Sequence, residues 1–117
     1  MSSETTDFME QAKAVRTPAD LAGLLRQLRR RHARQRHDTQ LSCRELAAKT
    51  GWSYSAINTY FTGRVLPPTD RLDAITGLLG ATSAEQGALA TARDRIEEAR
   101  RTDPPQKFRT NDYNVDS

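Results

Sequence analysis

The chain has a single cysteine, Cys43, among 117 residues. One thiol forms no internal disulfide and no multi-cysteine zinc site, so the fold rests on its apolar core, as suits a reducing compartment. Aromatic residues make up only 6% and hydrophobic residues 36% of the chain, and no apolar run approaches the roughly 20 residues that cross a bilayer. The opening MSSETTDFME has neither the basic nor the apolar part of a secretory leader. The expectation is a cytoplasmic protein with no membrane association. A Gly-rich phosphate loop is also missing, as is any serine or cysteine nucleophile within a motif, so an enzyme is not expected. His32 and His37 are five apart, which puts them on different sides of a helix, with no acid or cysteine at metal spacing. Neither a metal nor a cofactor is expected.

Charge, by contrast, is concentrated. The net charge is +3, yet residues 17–67 hold nine bases against three acids, and the three remaining segments are each at −1. Fifteen of the 18 bases are arginine, the side chain whose planar fork matches phosphate. A solvated basic face is the plain reading of such a block, and a polyanion-binding face is the functional one.

Apolar residues recur at helical rather than strand spacing, which predicts an all-α, compact bundle of about five helices. Thr17-Pro18-Ala19-Asp20 opens a helix with a hydroxyl cap, proline at its first position and an acid three residues on. Leu21, Leu24, Leu25 and Leu28 form its stripe, and Arg29 to Arg36 either prolong it as a polar extension or fray. Ser42 and Glu45 form a capping box before a second helix that ends at Gly51. Ser53 caps a short third helix, 54–62, which stops at Gly63. Thr69 and Asp70 begin the next, with Leu72, Ile75, Leu78 and Leu79 on one side. Ser83 and Gln86 form a capping box for the last, whose stripe is Leu89, Ala92, Ile96 and Ala99. That stripe either seats a homodimer through helix 83–101 or covers the domain's own core. Residues 1–16 read as a tail in which Asp7 caps a short helix bearing Phe8, Ala12 and Val15. Residues 17–101 read as the domain, and 102–117 as a disordered end.

The informative stretch is CRELAAKTGWSYSAINTYFTG, residues 43–63. Two helices joined by so few residues cross steeply. The first needs a small residue at the crossing, Ala47; the turn needs Gly51; and Ile57 pins the second helix. Tyr54, Ser55, Asn58 and Thr59 are left as a polar face suited to base edges. The segment resembles the helix-turn-helix of the phage-repressor and Cro, or XRE, family of transcriptional regulators. The likeness runs from about Leu21 to Leu79 and includes the following Gly63-Arg64-Val65-Leu66-Pro67-Pro68 linker and a leucine-rich helix ending in Gly80.

That resemblance implies a sequence-specific regulator of transcription, most naturally a repressor, whose helix 54–62 enters the major groove of duplex DNA. Tyr54, Ser55, Asn58 and Thr59 would face bases, and Ser53, Arg44 and Arg64 the backbone. Three departures are visible. Cys43 stands where the family usually has a phosphate-binding glutamine, leaving the backbone N–H to do that work. Phe61 stands where many relatives have an acid that pairs with an arginine of the first helix. The spacing from Leu28 to Leu41 exceeds the usual one by about two helical turns. That insertion carries Arg29, Arg30, Arg31, Arg34 and Arg36 against Asp38 alone, and such mutual repulsion is relieved by an anion. Arg31, Arg34 and Arg36 are therefore expected to meet phosphates or a minor groove. The competing function is a protein-interaction adaptor, an antitoxin-like partner that uses the same helices to bind a regulatory protein. A third is the DNA-binding head of a longer polypeptide.

Overall fold

The computed structural model describes residues 2–102, with side chains for residues 6–101. Six helices account for it: α1 Ser2–Lys13, α2 Pro18–Arg36, α3 Cys43–Thr50, α4 Tyr54–Thr62, α5 Thr69–Leu78 and α6 Ser83–Thr102. No strand occurs among the described residues. The expected disordered end thus lies outside them, apart from Thr102, the last residue of α6.

Local chemistry sets most boundaries. Thr17 accepts from the Asp20 N–H while Asp20 accepts from the Thr17 N–H, closing a capping box ahead of Pro18. Ser42 and Glu45 close a second one before α3. The arginine-rich stretch prolongs α2 to Arg36, and His37 turns left-handed to end it. The sixth helix is the one read as a tail. Phe8, Ala12 and Val15 are buried against the core, so α1 persists by docking rather than by propensity. Carbonyls at and just beyond its C-terminus are met from α6, where Arg95 Nη2 donates to Ala12 O at 2.8 Å and to Val15 O at 3.0 Å.

The core is one cluster. The leucine stripe of α2 meets Leu46 of α3, Ile57, Tyr60 and Phe61 of α4, Leu72 and Ile75 of α5, and Leu89, Ala92 and Ile96 of α6. Two expectations are corrected here. Leu78 is 37% exposed, because Leu79 turns into the core in its place. The cap of α6 lies one residue earlier than expected: Thr82 and Glu85 exchange the two bonds, at 3.1 and 2.9 Å. Gln86 instead reaches back to Asp73 O and Thr76 Oγ1 on α5.

The stripe of α6 is consumed as well. Leu89 and Ala92 are 0% and Ile96 1% exposed within a single chain, leaving only Ala99 of the expected seam on the surface. Of the two expected uses of that stripe, covering the domain's own core is the one its buried residues serve.

Candidate nucleic-acid interface

Helices α3 and α4 are set by the turn between them. Gly51 adopts φ 83°, and its N–H donates to Ala47 O at 2.8 Å. Thr50 Oγ1 then accepts from the Trp52 N–H at 3.2 Å. Ser53 Oγ accepts from the Ala56 N–H at 3.1 Å to begin α4. Ile57 is fully buried and Ala47 half-buried, the small residue at the crossing and the pin beneath it. Gly63 at φ 84° ends α4, and the Gly63, Arg64 and Val65 N–H groups all donate to Thr59 O.

This leaves Tyr54 and Ser55 exposed and Asn58 and Thr59 half-buried on one side of α4. The four share a face, but they are not equivalent. Thr59 Oγ1 donates to Ala56 O at 2.6 Å, so its hydroxyl keeps only acceptor capacity. Ser55 and Asn58 have no side-chain hydrogen bond among the described residues. The Tyr54 ring lies under the Arg44 guanidinium of α3, 4.9 Å from its centroid, so a cation flanks the start of α4. No residue of α4 is charged. Trp52 and Tyr60 do not join this face: Arg71 stacks on the Trp52 ring and donates to Tyr60 Oη at 3.0 Å.

The arginines of α2 divide by burial. Arg31 is 6% exposed and makes two bonds to Glu85 of α6, at 2.7 and 2.8 Å, so its expected phosphate contact is overturned. Arg29 also turns inward, over the Phe61 ring at 4.7 Å and toward Cys43 Sγ at 3.8 Å. Arg26 Nη1 donates to Phe61 O at 2.6 Å. Phe61, which stands where the resemblance expected an acid, thus still receives an arginine of α2 through its carbonyl, with a second α2 arginine on its ring. The Cys43 side chain faces this cluster and is half-buried.

Arg30, Arg34 and Arg36 remain exposed. Arg30 and Arg34 line an open concavity with His37, Thr39 and Gln40, and Arg36 is only loosely near Asp38 at 3.9 Å. Arg44 and Tyr54 line a neighbouring concavity with Gln40 and Cys43. Arg64 is exposed at the opposite end of α4. Sequence reasoning did not single out Arg30 from its neighbours, and only the helix's continuation to residue 36 distinguishes the outward arginines from Arg31.

Among the described residues no group of His, Cys, Asp and Glu is placed to hold a metal ion, and no helix is long and apolar enough to cross a membrane.

A tight two-helix corner that offers an uncharged polar helix between flanking arginines defines a helix-turn-helix module. The chain belongs to a helix-turn-helix domain family, whose model matches residues 20–89, from the start of α2 into α6. Membership implies DNA binding. No curated protein and no solved structure matches the chain.

Proposed function

We propose that the chain is a sequence-specific, duplex-DNA-binding transcriptional regulator that works as a repressor at the nucleoid and needs no cofactor. In this reading α4 enters the major groove. Ser55 and Asn58 offer hydrogen-bonding groups to base edges, Tyr54 lies over a base or a thymine methyl, and Thr59 accepts. Ser53, the Cys43 backbone N–H, Arg44 and Arg64 meet phosphates on either side. Arg34 and Arg36, joined by Arg30, extend the backbone contact along the lengthened α2. Repression follows from occupancy, since a domain seated in the groove excludes other proteins from that stretch.

The observation that carries this reading is the pairing of an uncharged, solvent-facing polar α4 with arginines at both of its ends. Affinity and discrimination are then divided between different side chains. The test is selection of bound sites from a random duplex library, followed by anisotropy titrations of the enriched site at several salt concentrations. A defined site should emerge, with affinity falling steeply in salt. Arg34→Gln/Arg36→Gln should flatten the slope of log affinity against log salt by about 0.9 per lost phosphate contact. No enrichment and no salt-dependent duplex affinity would leave the protein-interaction adaptor as the reading that stands.

A further inference from the structure

Arginines 100 and 101 close the last turn of α6, where basic residues also complement a helix dipole. Their location has a second aspect that the dipole does not explain. The chain folds this turn back onto the loop that leaves α4, so Arg64 and Leu66 share one concavity with Arg93, Glu97, Arg100 and Arg101. Four arginines line it with one carboxylate, Glu97, while Asp94 and Glu98 beside it also pair with Arg93 and Arg101.

That carboxylate is already engaged. Arg93 Nη1 donates to Glu97, which holds the Glu97 carboxyl below the usual carboxylate range and keeps it ionised. Arg93 is also anchored, its Nε donating to Pro67 O at 2.8 Å, so it fixes the end of α6 against the α4–α5 loop. Arg64 and Arg100 have no ion pair or side-chain hydrogen bond among the described residues. Arg101 is 65% exposed and only 3.5–3.6 Å from Glu98 and Glu97, the kind of surface pair that exchanges readily for a stronger anion.

We propose that this cleft seats backbone phosphates of the duplex beyond the groove read by α4, making the last turn of α6 part of the DNA footprint. The inference rests on the DNA-binding reading. It adds a contact from a helix whose apolar stripe is internal apart from Ala99, and it places that contact on the Arg64 side of α4, away from the α2 extension.

Arg100→Gln/Arg101→Gln in the full chain, measured by anisotropy on the selected duplex and on an unrelated one from about 50 to 200 mM salt, tests it. The salt slope should become shallower by about 1–2, with affinity falling by the same factor on both duplexes. Lys13→Gln, which removes a 72% exposed base on α1, is the control for net charge. An unchanged slope in the α6 variant, or an equal flattening in Lys13→Gln, overturns the cleft while the α4 reading stands. Wild-type protein without salt-dependent affinity for any duplex overturns both.

Discussion

His32 lies on the inner side of α2 with its ring near Gly80, and its buried Nδ1 has no hydrogen-bond partner. Burial comes first, then the nearby Arg36 and Lys49 charges, in pushing its pKa below the ordinary 6.5. The folded state therefore holds this proton less tightly than the unfolded chain. Stability is full above the unfolded pKa and is lost as pH falls through 6.5 toward the lower folded value. In urea melts at pH 7.5 and 5.5, His32→Gln should lose less stability across that interval than wild type does. Equal losses would place the ring in water. In the sequence His32 and His37 look alike, because nothing local records that α2 stays helical and turns one of them inward. Arg31 is concealed for the same reason. It sits beside Arg30, Arg34 and Arg36, which face water, and its partner Glu85 is far along the chain. A pairing of that sequence separation leaves no periodic trace.

Elements were easier to read. Their ends depend on residues three or four apart, and the Thr17, Ser42 and Ser53 caps and the stops at Gly51 and Gly63 all sit where local hydrogen bonding puts them. The cap of α6 was misread by one residue because Thr82-x-x-Glu85 and Ser83-x-x-Gln86 satisfy the same pattern. The choice falls to Glu85, which alone can meet Arg31 in the interior. The two glycines that bound the α4 segment share a left-handed backbone but differ in surroundings. A Cβ on Gly51 would meet nothing within 4 Å, whereas one on Gly63 would lie 2.7 Å from the Ala19 Cα. Gly51→Ala should cost roughly 1–2 kcal/mol for the backbone alone. Gly63→Ala should cost roughly 2–5 kcal/mol, because α2 must also give way. Chemical denaturation of the two variants side by side checks this, and equal costs would mean that α4 ends without touching α2.

At the scale of the whole molecule, the domain is larger than its helix-turn-helix. The family match begins at residue 20, yet α1 buries Phe8 to 1% exposure and is held by Arg95 of α6. Its sequence is polar enough to read as a tail, since three apolar residues signal a helix only once a surface exists for them to cover. Phe8→Ala should cost about 3–5 kcal/mol in a urea melt, a large share of what a domain of this size has. A cost under about 1 kcal/mol would mean that α1 is not docked in solution.

The Arg31–Glu85 pair ties α2 to α6 beneath that helix, with the Phe8 ring beside the guanidinium. Its consequence lies in how the sequence can drift. Replacing either residue alone strands an uncompensated buried charge at a cost of about 3–5 kcal/mol, while a well-packed apolar pair is often as stable or more so. One-step routes between those two solutions cross a valley in fitness. Lineages of this domain should therefore keep both charges or neither, and the two positions should change together even where everything around them varies freely.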